Sequence, residues 1–156
     1  MKYLVYLLTL LLLFTSCATQ DVCDDDSQSI LVARFKTLED SEVTDTILDA
    51  MSIYGIREGK ADSLLYDSMS MSRAELPLNP NLSFSHFVLS NKIRQDTLMI
   101  KYSSEVYLIS YTCGFAVRFT LEQFTNSDSW INDMVLIEGE IDAELESNEE
   151  HLWIYF

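Results

Sequence analysis

From about residue 30 onward, apolar positions recur every second residue, whereas residues 3–14 form an apolar run broken only by Thr9. Leu31, Ala33 and Phe35 alternate with Val32, Arg34 and Lys36, and Met69 and Met71 alternate with Ser68, Ser70 and Ser72. Leu98, Ile100 and Tyr102 alternate with Thr97, Met99 and Lys101. The clearest case sets Phe115, Val117, Phe119 and Leu121 against Ala116, Arg118, Thr120 and Glu122. Successive side chains of a strand point to opposite faces, so this period predicts half-buried strands with one face on a core. Further strands are expected at 47–54, 84–89, 134–137 and 152–156. The breaks carry turn chemistry: Gly55 and Gly59, the Pro77/Pro80 pair, Asn91-Lys92 and Glu138-Gly139. Only residues 128–146 offer a helix candidate, and Gly139 interrupts it. Many short strands at this spacing imply an all-β domain, an antiparallel β-sandwich of Greek-key, immunoglobulin-like type. A small β-barrel is the alternative, disfavoured because four glycines leave little for tight corners.

The N-terminal run has another meaning. Lys2 and the apolar stretch after it match the charged and hydrophobic regions of an export signal, and the stretch is short for a membrane span. Polar residues follow at once in Ala18-Thr19-Gln20-Asp21. The junction Phe14-Thr15-Ser16-Cys17 resembles the bacterial lipobox, with Phe14 standing where an aliphatic residue is usual. The resemblance implies removal of residues 1–16 and a diacylglyceryl thioether, usually joined by an amide-linked palmitate-like chain, on Cys17. Two or three acyl chains anchor a protein effectively permanently. The expected organisation is a signal peptide over 1–16, a lipidated polar tether over 17–28, and one β-domain over 29–156.

Charge sharpens this picture. The chain carries 25 acidic and 10 basic residues, a formal net charge of −15. Such a surface repels phosphate backbones and anionic lipid alike, so nucleic acid is not an expected partner and lipid must do the anchoring. Cys23 and Cys113 remain once Cys17 is lipidated, and an even pair in an oxidising compartment suggests a disulfide. Closing a loop of that length contributes about 4–5 kcal/mol in the chain-entropy view. A buried Cys113 with an unpaired Cys23 is the alternative.

Three patterns carry a family resemblance: Leu76-Pro77-Leu78-Asn79, Ser110-Tyr111-Thr112-Cys113-Gly114-Phe115, and the terminal His151-Leu152-Trp153-Ile154-Tyr155-Phe156. With the lipobox they resemble an uncharacterised family of small Bacteroidetes cell-envelope lipoproteins. That resemblance implies a single-domain envelope lipoprotein and brings no activity and no functional residues. Physically, Pro77 suits a strand edge, Gly114 permits a bulge beside Cys113, and the closing aromatic strand is expected to plug one end of the core.

Catalytic constellations are not evident. His86 and His151 are the two histidines, and His86 next to Ser85 on a strand would face away from it. His151, among glutamates, reads as solvated. No zinc-protease helix motif, phosphate loop or nucleophile elbow is present, so neither cofactor nor metal is expected. Asp24–Asp26 and the series Glu138, Glu140, Asp142, Glu144, Glu146 are rich in oxygen ligands but lack calcium-loop spacing. The second series reads as the wet face of an edge strand. Asp24–Asp26 also resembles a signal for display on the outer cell surface, leaving open which face of the outer membrane the protein occupies. Four tripeptides, carrying Thr46, Ser63, Ser68 and Thr97 after an aspartate, resemble O-glycosylation acceptors of exported proteins in that phylum, Ser63 foremost.

The leading expectation is a non-catalytic envelope lipoprotein, structural or protein-binding, with a partner such as an outer-membrane β-barrel. A surface glycan-binding lipoprotein stacking sugars on Trp130 and Trp153 is the second reading, and a carboxylate hydrolase the third.

Overall fold

Each stretch with a two-residue period becomes a strand, and a single hydrophobic cluster draws its side chains from two sheets. The computed structural model describes residues 29–39, 42–57, 62–127, 129–143 and 149–156. Cys17, Cys23 and Asp24–Asp26 lie outside them. The strands are β1 (Ile30–Glu39), β2 (Glu42–Asp45), β3 (Leu48–Ile56), β4 (Ser63–Met71), β5 (Arg73–Pro77) and β6 (Phe84–Ser90). They continue with β7 (Gln95–Ser110), β8 (Gly114–Asn126), β9 (Asp133–Leu136), β10 (Glu140–Ile141) and β11 (Leu152–Tyr155). One sheet runs β2-β1-β11-β9, with β5 also on β1; the other runs β10-β8-β7-β6-β3-β4. Neither closes into a barrel, and the expected β-sandwich is the result. No helix forms in 129–143, the described part of the helix candidate.

β1 organises the first sheet. Leu31, Ala33 and Phe35 are fully buried, as their period predicts. One side of β1 pairs with β5 through residues 30–34 and with β2 through residues 36–39, and β11 pairs with 33–36. The β1–β11 pair is parallel, Ala33 opposite Leu152 through Lys36 opposite Tyr155. A parallel pair needs a long crossover, and here the intervening domain supplies it. The closing aromatic strand is therefore not a plug over one end of the core. It lies inside the sheet between β1 and β9, with Leu152 and Ile154 in the core.

In the second sheet, β6, β7 and β8 form a meander, and β3 joins it antiparallel to β6. Between β3 and β4 the register slips, and Ala50 and Ser68 adopt left-handed backbone (φ 55° and 49°) at these irregularities. The slip turns Met69 outward while Met71 stays buried. β10 forms the other edge of this sheet, as the acidic series suggested, but spans two residues; Glu144 and Glu146 lie outside the described residues.

One charge occupies the core phase of β7. Asp96 is in step with Leu98, Ile100 and Tyr102 and is 1% exposed. Its Oδ1 accepts from the backbone N–H groups of Thr97 and Ser127, each 2.8 Å, and from the Ser127 hydroxyl at 2.5 Å. Its Oδ2 accepts from the N–H groups of Ser129, Trp130 and Ile131 at 3.0, 2.9 and 2.9 Å. These bonds fix the β8–β9 connection and seat Trp130 against Phe156, ring centroids 4.7 Å apart. Burial alone would raise the Asp96 carboxyl. The hydrogen bonds from Ser127, Ile131 and Trp130 outweigh it and hold the group well below its ordinary value of 3.8.

Because the folded state lowers this pKa, the carboxylate stabilises the fold above the ordinary value, and that contribution is lost as pH falls through the folded one. Asp96→Asn keeps the shape but turns an NH2 toward backbone donors. It should cost about 2–4 kcal/mol in urea unfolding and flatten the acid limb of stability against pH.

Candidate functional site

A concavity opens where the ends of β3 and β6 meet the β5–β6 connection. It encloses about 560 Å³. Leu65, Pro77, Leu78, Leu82, Phe84 and Phe87 make it apolar, and Arg57, Ser63, Asn79, Ser85 and His86 supply the polar groups. Leu78 and Phe87 are buried at its base, whereas Leu82 and Phe84 stand exposed at its margin.

The Pro77–Leu78–Asn79–Pro80 turn forms one wall, and Tyr102 locks it. The buried Tyr102 hydroxyl donates to the Asn79 carbonyl at 3.0 Å and lies 3.1 Å from the Asn79 N–H, and it pairs with the Ser85 hydroxyl at 2.9 Å. The Asn79 side chain caps Asn81 N–H at 2.9 Å, and Ser104 Oγ donates to the Pro80 carbonyl at 2.9 Å. A wall held by this many bonds is set before any ligand arrives, which lowers the ordering cost of binding. Tyr102 was expected only as a core residue. Its hydroxyl was the overlooked signal, since a buried phenol must find a partner.

Ser85 and His86 do not form a nucleophile–base pair. The Ser85 hydroxyl belongs to Tyr102, and the His86 ring packs edge-on against Phe84 at 5.4 Å. Among the described residues, no three His, Cys, Asp or Glu side chains cluster as metal ligands. A second concavity of about 460 Å³ lies between Leu38, Val43, Val135 and Tyr155, with Asp133 in its lining.

The two tryptophans serve the sheets. Trp130 is buried against Phe156. Trp153 is half-buried, donates its indole N–H to Glu150 at 2.6 Å, and has Lys36 Nζ 4.3 Å from its ring centroid. Glu150 also accepts from Arg34 at 2.8 Å, and Lys36 pairs with Asp45 at 2.5 Å. Burial tends to raise the Glu150 carboxyl, but the bonds from Trp153 and Arg34 bring it below its ordinary value.

The glycosylation candidates are unevenly placed. Ser68 is exposed at the bulge, donating to Asp67 at 3.2 Å, whereas Thr46, Ser63 and Thr97 are half-buried in or beside strands. The aspartate before Thr97 is the buried Asp96. Cys113 is half-buried at the end of the β7–β8 hairpin, its N–H donating to Ser110 Oγ at 3.0 Å; Cys23 lies outside the described residues. Asp142, expected on a solvated face, instead pairs with Arg118 at 2.5 Å and accepts from the Tyr107 hydroxyl.

His151 also departs from expectation, being buried rather than solvated, 4% exposed. It precedes β11 at the point where β1 continues past the ladder. Its N–H donates to the Val32 carbonyl at 3.0 Å, and its Nδ1 accepts from Val32 N–H at 3.0 Å, so the imidazole completes the backbone pairing. An accepting Nδ1 requires the neutral ring, with the proton on Nε2.

A family model described as a family of unknown function (DUF6452) matches residues 50–156, and the chain belongs to that family. No curated protein and no solved structure matches it.

Burial lowers the His151 pKa below its ordinary 6.5, against a smaller opposing effect of Glu138. The neutral ring therefore stabilises the fold above the ordinary value, and the contribution is lost as pH falls below it through the folded value. Urea midpoints should drop over that window. His151→Ala, which strands Val32 N–H, should cost about 1–3 kcal/mol at neutral pH and remove this part of the pH dependence.

Proposed function

We propose that this family member is a lipid-anchored cell-envelope protein that holds another envelope protein and carries out no catalysis. The observation behind this reading is the groove beside β6: apolar, of ligand size, walled by a turn that Tyr102 keeps in place. Its exposed margin, Leu82 and Phe84, suits an apolar side chain or strand edge from a partner. The partner class is an outer-membrane β-barrel, which offers apolar and aromatic residues at the membrane surface.

The anchor rests on the run over 3–14 and on Phe14-Thr15-Ser16-Cys17, with Cys17 as the acylated residue. A chain of net charge −15 needs such an anchor to remain at a lipid surface. Cys23 paired with Cys113 would tie the tether to the β7–β8 hairpin, and an oxidising envelope favours that bond. The exposed Ser68 is the best-placed of the glycosylation candidates.

Two measurements address these points. Intact mass of the protein from its native host should give a chain beginning at Cys17 with added acyl chains and two hydrogens fewer for Cys23–Cys113. Any sugar would add to that mass, and an unacylated chain beginning at Met1 would sink the anchor. A photo-crosslinking residue at position 82 should capture an outer-membrane barrel in cells, and Phe84→Asp should cut that product about tenfold. Recovery of no envelope partner above background would overturn the binding role.

A further inference from the structure

The β7–β8 hairpin outruns its sheet. β6 pairs with β7 only through residues 95–101, and β10 pairs with β8 only at Phe119 and Thr120. Beyond these points, residues 105–110 and 114–118 form a two-stranded arm whose strands pair with each other and with no other described strand. Such a ribbon is at best marginally stable by itself in water.

Past its neck the arm is uncharged and mostly apolar where it is exposed. Glu105 and Arg118 stand opposite each other across the ribbon, and Arg118 is paired with Asp142. Past this polar collar, residues 106–117 contain no charged side chain, although the chain has 35 Asp, Glu, Lys and Arg (25 acidic and 10 basic). The register Val106–Val117 and Leu108–Phe115 continues the core face of Tyr102–Leu121 and Ser104–Phe119. Val106 is 66% exposed, Phe115 73% and Tyr111, in the turn, 99%. Gly114, at φ 78°, lets the ribbon reverse there.

The neck of the arm is also where the N-terminal chain arrives. The Ser29 hydroxyl donates to the Val117 carbonyl, and 28 residues, including the apolar run and Cys17, precede it. Ser29 stands twelve positions after Cys17, a reach of at most about 40 Å. If Cys23 bonds Cys113, the acylated cysteine stands six positions from the bridge at the arm's tip, about 20 Å at full extension.

We infer that the arm is a membrane-docking device, which seats Tyr111 and Phe115 in the interfacial layer of a lipid bilayer beside the protein's own anchor. The inference rests on the anchor reading above. Tyrosine suits this layer because its ring is apolar and its hydroxyl stays wet. The ribbon's two open edges still need water, so the arm lies at the headgroup boundary and does not enter the hydrocarbon. The net charge of −15 makes zwitterionic lipid the fitting surface and anionic lipid the poor one.

The test places the full acylated chain in phosphatidylcholine vesicles, with lipids brominated high on their acyl chains. Tyr111→Trp introduces an indole at a position so exposed that folding is not at stake. Its emission should shift to the blue and fall about twofold with the brominated lipid, whereas the parent's Trp130 and Trp153 should be unaffected. Replacing a third of the lipid with phosphatidylserine should weaken the effect. An indole at 111 that keeps an aqueous spectrum and full acrylamide quenching, in a chain still held on the vesicles, overturns docking and leaves the anchor standing. Protection from both quenchers also overturns it, since a protein surface then covers the tip. A chain from the native host that is soluble and unacylated fails the anchor separately; vesicles added to it still test the arm by the same spectrum.

Discussion

The parallel pairing of β1 with β11 is the constraint on which the rest of the structure depends. A strand that ends the chain must lie beside one near its start, so every intervening element has to fit within that closure. β5 and β2 complete the far side of β1, and β9 completes β11. Where the ladder runs out, the His151 ring supplies the acceptor that Val32 N–H would otherwise lack. The ring satisfies Val32 N–H while its own Nε2 is buried with no partner among the described residues, so the buried position favours the neutral form through desolvation.

Two polar groups placed in the apolar phase of β7, one at its start and one at mid-strand, set two separate loops. Asp96 gathers the 127–131 backbone and thereby seats Trp130; Tyr102 gathers 79–85 and thereby builds the groove wall. Each is buried and fully engaged, so each trades flexibility for position. The groove is consequently rigid on one side, a property useful to a module that holds a partner and does not close around a substrate.

Electrostatics and anchoring belong together. An acidic domain is pushed from an anionic bilayer, so the proposed attachment relies on acyl chains and uncharged contacts. The uncharged arm beyond Glu105 and Arg118, the arrival of the N-terminal chain at Val117, and the groove beside β6 are all contributed by or attached to the β6–β8 meander. One sheet thus carries both proposed contact surfaces, while the other holds the β1–β11 closure.

The two-residue period by itself determined the strand-rich class, the core positions Leu31, Ala33, Phe35, Leu98 and Ile100, and the identity of most strands, because alternation records burial locally. It also located the N-terminal apolar run and Cys17, which depend on composition alone. Only the tertiary structure decided strand order, the central place of β11, the burial of His151 and the Asp142–Arg118 pair, since each depends on residues far apart in sequence. Asp96 lies between these cases. Its phase with Leu98 and Ile100 was legible, but the donors that make a buried carboxylate tolerable come from residues 127–131, thirty and more positions away. The groove was illegible for the same reason: residues 55–65 and 77–87 line it together, and its wall is held by the Tyr102 hydroxyl, whose partner no local pattern names.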